Sequence, residues 1–255
     1  GKPQISYTYN HGWSQPTVIP KMTNAADYAV LQDELDLYGL DPKYWSAASK
    51  AFKATGSFTN PDNGSVTKAT FSPSDIQKYA DGSDPWGHPN TDWFKETLKN
   101  WSGQSRQNIE LSGGTENVKY FTSIGYTCQD AYYKNSATNY KQYDFRTNLD
   151  AKINKYISAS VSVSGRQENR SFPDGGGAGD IFRMLVRGYP TKPAFWPNGL
   201  PGPDIENGQQ PVLITTDKTG YNHDNHYVMN TLGKLEINIP GVEGLKVTGD
   251  VSLNR

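Results

Sequence analysis

From Ile157 to Gly165 the chain alternates without a break, with Ile157, Ala159, Val161, Val163 and Gly165 separated by Ser158, Ser160, Ser162 and Ser164. Successive side chains of a strand point to opposite faces, so this segment predicts a strand with one apolar and one polar face. The same period runs through Tyr143, Phe145, Thr147, Leu149 and Ala151 against Asp144, Arg146, Asn148, Asp150 and Lys152. It returns in Leu245, Val247, Gly249, Val251 and Leu253 against Lys246, Thr248, Asp250, Ser252 and Asn254. Each stretch has about 9–11 residues, the length a tilted strand needs to cross a bilayer. The expectation is a membrane barrel in which Tyr143, Phe145, Leu149, Ile157, Val161, Val163, Leu245, Val247 and Val251 face lipid. Alternation alone also describes a soluble sandwich with one wet face.

The connections separate these two folds further. Strands are predicted over residues 4–13, 107–113, 118–129, 140–152, 156–167 and 226–238, followed by a last one after the turn at 239–244. Connections at 14–106 and 168–225 are long and the one at 130–139 is intermediate, whereas those at 114–117, 153–155 and 239–244 are tight. Long and short connections therefore alternate, as in outer-membrane barrels, whose periplasmic turns are short and extracellular loops long. About seven strands would leave two open edges, and unpaired backbone groups in lipid cost several kcal/mol each. That predicts a longer polypeptide of which residues 1–255 are a part.

Composition narrows the function classes. Mean hydropathy is −0.74, and no run approaches the roughly 18 apolar residues of a membrane helix, so any crossing is by strands. A net charge of −1 without a basic stripe argues against nucleic acid. The single cysteine, Cys128, excludes an internal disulfide and shares a predicted apolar face with Tyr120, Ile124 and Tyr126.

The segments FSPSDIQKYADGSDPWGHPNTDWFKETL (71–98), QNIELSGGTENVKYFTSIGYTCQDAYYKN (107–135) and YDFRTNLDAKINKYISASVSVSGR (143–166) resemble the early barrel region of the SusC/RagA family, TonB-dependent outer-membrane transporters of Bacteroidetes. GKPQISYTYNHGWSQPT (1–17) resembles the family's first barrel strand. The resemblance covers nearly the whole chain and implies the N-terminal part of an all-β antiparallel barrel of roughly 22 strands. It also implies a SusD-like surface lipoprotein, energy from TonB through an N-terminal region, and uptake of oligosaccharides or peptides across the bacterial outer membrane. The family's plug domain and TonB box are absent from these residues, so no residue here is assigned to energy coupling.

Short helices are expected in the long connections. Asn24 is predicted to cap Ala25–Tyr38, with Tyr28, Leu31, Leu35 and Tyr38 packing on the barrel rim. Ser72-Pro73-Ser74-Asp75 opens a second helix and Asn90-Thr91-Asp92 a third. A further helix is expected over 180–187, after a glycine run at 175–179 that fits neither phosphate-binding spacing and predicts a hinge. Phe195, Trp196, Trp86 and Trp45 are the candidates for stacking on a sugar or gripping a peptide. His223 and His226 lie in a segment read as irregular and are expected to be solvated rather than metal-bound, and no cofactor is predicted. No GxSxG, HExxH or CxxC pattern occurs, which makes an enzyme the weakest reading. The stronger alternative to transport is a secreted or surface β-sandwich that binds glycans.

Overall fold

A computed structural model of the chain describes residues 1–174, 177–205 and 209–255. Strand β1 (Gln4–Ser14) leads into a connection that holds α1 (Ala25–Tyr38), α2 (Trp45–Thr55), the small hairpin β2 (Ser57–Thr59) and β3 (Val66–Lys68), α3 (Pro73–Asp81) and α4 (Trp93–Thr97). Four strands follow, β4 (Ser102–Gly114), β5 (Val118–Asp130), β6 (Asn139–Lys152) and β7 (Ile157–Pro173). The second long connection carries α5 (Ala178–Arg187) and α6 (Pro211–Ile214), and the chain closes with β8 (Tyr221–Asn238) and β9 (Lys246–Asn254). One antiparallel sheet runs in the order β1-β4-β5-β6-β7-β8-β9, and β2–β3 stand apart from it.

The strands outrun their apolar alternation at the end where the long connections leave. β4 starts at Ser102, ahead of the predicted 107, because residues 102–106 pair with residues 10–14 of β1. β7 and β8 stay paired out to Pro173↔Tyr221, so the second long connection is 174–220. Backbone pairing is indifferent to side-chain polarity, whereas alternation marks only the stretch that meets an apolar medium. Leu245 falls in the turn ahead of β9, where its carbonyl accepts the Ile239 N–H at 3.0 Å.

Local chemistry sets the helices. The Asn24 side chain accepts the Asp27 N–H and starts α1, and Ser72 with Asp75 forms a reciprocal capping box on α3. Asp92 caps α4, and Gly56, at φ 72°, ends α2 in the left-handed conformation that favours glycine. The glycine run falls partly outside the described residues at Gly175 and Gly176, and Gly177 caps α5.

The predicted packing face of α1 is reversed. Ala25, Ala29, Asp33 and Leu37 are buried, while Leu31, Leu35 and Tyr38 are exposed. Small residues let α3 and α2 approach this helix closely, so the bulky stripe is left outside. The region of His223 and His226 is corrected too: both lie within β8, one residue apart in parity, and so point to opposite faces of the sheet and cannot share an ion.

Candidate functional site

Register converts the alternating segments into two continuous surfaces. Directly paired residues share a face, so Tyr120, Leu149, Val161, Gly233 and Val251 form one row across five strands. The next row is Ile5, Leu111, Thr122, Thr147, Val163, Thr231 and Leu253, and the next is Tyr7, Ile109, Ile124, Phe145, Gly165 and Met229. Ile157, Ile237 and Val247 line up at the short-turn end. All of the strand residues predicted to face lipid fall on this one face, and Tyr143, Phe145, Leu149, Val161, Val247 and Val251 are exposed.

Above these rows comes a row of tyrosines, Tyr9, Tyr126, Tyr143 and Tyr227, interleaved with Gln107 and Gln167. No charged side chain stands on this face between the Ile157 row and the tyrosine row. One step further the row turns polar at His11, Ser105, Cys128, Lys141, Asn169 and Asn225. From Ile237 to Tyr227 of β8, strand rise and a tilt of about 40° give a band height of roughly 25 Å, the height of the apolar belt of membrane barrels. Two glycines on this face sit under aromatic rings: a side chain at Gly165 would overlap the Phe145 ring, and one at Gly113 the Tyr120 ring. The rings thereby fill what would otherwise be gaps in the band.

The opposite face is a hydrogen-bonded polar wall. Glu168, 7% exposed, takes Arg166 Nε at 2.8 Å and an Arg170 guanidinium nitrogen at 2.8 Å. Tyr140 donates to Gln142 at 2.6 Å and Gln142 to Asp144 at 3.1 Å, and Ser162 donates to Asn148 at 2.7 Å. His226 pairs with Asp224 at 3.0 Å on this same wall. Phe121 and Leu232 interrupt the polarity in the row of Asn148 and Ser162, as Val228 does in the row of Asp144 and Arg166.

At the long-connection end the loops form a cap with its own core. Trp93 and Phe94 of α4 pack with Ile181, Met184 and Leu185 of α5 and with Ala194, Ile205, Val212 and Ile214, and Tyr133 of the intermediate connection joins them. Trp93 Nε1 donates to the Tyr189 carbonyl at 2.9 Å, Thr91 N to Pro190 O at 2.9 Å, and Lys134 N to Thr97 O at 2.8 Å. A side chain at Gly188 would overlap the Trp93 indole, so the close approach of this loop requires glycine. In the outer part of the cap, the His88 ring bridges Asp75 (3.0 Å) and Asp84 (2.8 Å) under Tyr79. The Ser72 hydroxyl and N–H, aided by His88, hold the Asp75 carboxyl below its ordinary range, and His88 followed by the Gly87 N–H does the same for Asp84. Burial pushes the Asp33 carboxyl up, although it accepts the Phe71 N–H at 2.9 Å.

The predicted contact aromatics do not come together. Trp45 stacks edge-on against Tyr38 at 5.0 Å and donates to Leu40 O, a packing role. Trp86 is exposed in the turn beside His88, Trp196 is exposed on the proline-rich segment, and Phe195 alone of the four lines a cleft among the connections. Its other walls, Thr97, Lys134, Asp217 and Lys218, carry no local signal in the sequence, because three separate connections assemble them.

No family model matches the sequence. Among curated proteins, TonB-dependent receptor P26 of Formosa agariphila is 28% identical over 117 residues, 46% of this chain and 11% of that protein. TonB-dependent receptor P3 of the same organism is 27% identical over 168 residues, 62% of the chain and 16% of the relative. Among solved structures, the RagAB peptide importer in its closed-closed state superposes with a TM-score of 0.63 at 17% identity, over 99% of this chain and 28% of the other. Its open-open state gives 0.62 at 18% identity, over 100% and 28%. The chain thus spans less than a third of each of these proteins; over that span its sequence is similar to TonB-dependent receptors, and its open antiparallel sheet with capped long connections has the fold of part of the RagAB β-barrel.

Proposed function

We propose that the protein carrying this segment imports oligosaccharides or peptides across the outer membrane, drawing energy from TonB through sequence outside these residues. A SusD-like lipoprotein covers the extracellular loops, by analogy with the paired RagAB importer. The observation that carries the reading is the exposed, charge-free band about 25 Å tall with its tyrosine row, backed by a polar wall. A soluble sandwich buries such a face against a second sheet, and a monomer in water rarely leaves so large an apolar patch open. On this reading Tyr143, Phe145, Leu149, Ile157, Val161, Val163, Val247 and Val251 contact lipid, with Leu245 at the periplasmic interface. The wall of Arg166, Glu168, Arg170, Asp144 and His226 lines the lumen.

The test is mild-detergent extraction of the native protein from its source membranes, followed by intact mass and the identity of what co-purifies. A species several times heavier than 28.3 kDa in the outer-membrane fraction, with a lipoprotein attached, is expected. A soluble species of that mass alone overturns the reading in favour of the glycan-binding sandwich.

A further inference from the structure

The apolar face of the sheet continues past its tyrosine row. The polar row that holds His11, Lys141, Asn169 and Asn225 is followed on the same face by Trp13 beside Gly103 on β1 and β4, and by Asp130, Asn139, Ser171 and His223 on β5–β8. Tyr221, two residues before His223, starts β8 on this face. With a rise of about 3.4 Å per residue and a tilt of about 40°, Trp13 stands about 10 Å above Tyr9 of the tyrosine row, and Tyr221 about 15 Å above Tyr227. Phospholipid headgroups fill only about 5–8 Å on each side of the hydrocarbon core. The collar therefore rises past them.

Two aromatic tracks climb through it. On β1 the Tyr9 and His11 rings stack at 6.1 Å, and Trp13 meets His11 edge-on at 4.4 Å. On β8 the Tyr221 and His223 rings lie 4.7 Å apart, with His223 Nδ1 3.1 Å from the Ser171 hydroxyl. Trp13 is 65% exposed and Tyr221 67%. Gly103 stands opposite Trp13, and a side chain there would meet nothing within 4 Å, so the space beside the indole is open. Between the tracks the hydrogen-bonding groups are mostly neutral, from Ser105, Asn139, Asn169 and Asn225. Asp130 is paired with Lys99, whereas Lys141 is exposed and has no ion-pair or hydrogen-bond partner among the described residues.

We infer that this collar holds the sugar portion of a phosphorylated glycolipid in the outer leaflet; the inference rests on the import reading and adds a partner outside the transport path. Exposed aromatic faces gain nothing from bare water, whereas the C–H faces of sugar rings stack on them. The amide and hydroxyl groups between the tracks exchange hydrogen bonds with sugar hydroxyls, and the Lys141 ammonium takes a phosphate. Phospholipid alone is too short to reach Trp13 or Tyr221. The lipoprotein proposed above covers the loops, while these side chains point outward from the sheet, continuous with the band assigned to lipid.

The experiment uses the full-length protein in detergent with two probes, a lipooligosaccharide and phosphatidylglycerol, and reads the bound lipid by native mass spectrometry. Trp13→Ala and Lys141→Gln, both at exposed positions, should each lower lipooligosaccharide retention about fivefold without lowering the melting temperature. Trp13→Ala should leave phosphatidylglycerol retention unchanged, which a purely structural role would not do. Lipooligosaccharide retention unchanged in both variants overturns the inference. So does an equal loss of both lipids in Trp13→Ala, which would make the collar a general lipid contact. Loss of a co-purifying lipoprotein with lipooligosaccharide fully retained also overturns it and assigns the collar to that partner. If cells still accumulate a solute through the protein in any of these cases, the collar has failed and import stands. If the wild-type protein is not in the outer membrane, it is the import reading that has failed.

Discussion

The sheet and the cap are built for different solvents. Every buried Ala, Val, Ile, Leu, Met, Phe, Trp and Tyr among the described residues belongs to the connections or to the small β2–β3 hairpin, and none lies on the seven-stranded sheet. The cap folds as water-soluble domains do, around Trp93, Phe94, Ile181 and Leu185. The sheet does the reverse: Ile5, Tyr7, Ile124, Val251 and Leu253 are all more than half exposed. Strand order follows chain order, so hydrogen bonding hardly needs a core to define it, and the apolar face is left uncovered, as the proposed contact with lipid requires.

The sharpest way to break this comparison is to damage one region and ask whether the other notices. Phe94→Ala removes a ring that is 4% exposed and lies edge-on to Phe182 at 5.9 Å. It should cost the cap about 3–5 kcal/mol, seen as faster hydrogen exchange in α4 and α5, with membrane assembly intact. Loss of assembly instead would mean that the sheet depends on the cap.

The reciprocal damage is Val161→Arg. Val161 sits mid-band, between Leu149 and Gly233, and a charge there should cost about 2–4 kcal/mol of membrane stability. Ser162→Arg, one residue on and on the opposite face, should be tolerated in the same folding assay. Val251→Arg, two strands away on the same row, should repeat the Val161 result. Equal behaviour of positions 161 and 162 would contradict the assignment of the two faces.

The smaller predictions concern how the cap is pinned. Ser72→Ala breaks the capping box of α3, in which Ser72 and Asp75 satisfy each other's backbone N–H groups. It should cost about 1 kcal/mol, read as protease sensitivity confined to 72–88.

Legibility in the sequence divides along the same line. The sheet was readable because one apolar and one polar face impose a strict period of two on Tyr143–Ala151 and Ile157–Gly165, and each tight turn fixes the next strand's register. Strand ends were not, since Ser102 and Tyr221 pair through backbone beyond the alternation. Capped helices were visible at Asn24, Ser72 and Asp92, where the signal is local. The packing of α1 was misread because Ala25 and Ala29 make the contacts while Leu31 and Leu35 look outward. Helix α2 escaped notice, although Ala48 and Phe52 four residues apart and Gly56 after them were its signature. The cleft had no signature at all, since Thr97, Lys134 and Asp217 meet only once three distant connections fold together.

The mildest perturbation is pH. Asp75 and Asp84 both grip the His88 ring, and both carboxyls titrate below the ordinary 3.8. An acid whose folded-state pKa is depressed contributes stability that is complete above its unfolded value and fades as pH falls through the folded one. The turn at 82–88 should therefore stay closed at neutral pH and loosen only as pH drops below about 4, while the α4–α5 core, built from apolar groups, should not respond. Asp84→Asn removes the carboxylate without acid, so at pH 7 it should reproduce the loosening, seen as new proteolytic cleavage near Trp86 with none near Trp93. Cleavage at both sites would show that the two parts of the cap open as one unit. An unchanged pattern would mean that the capping box alone pins the segment and that the His88 bridge is dispensable.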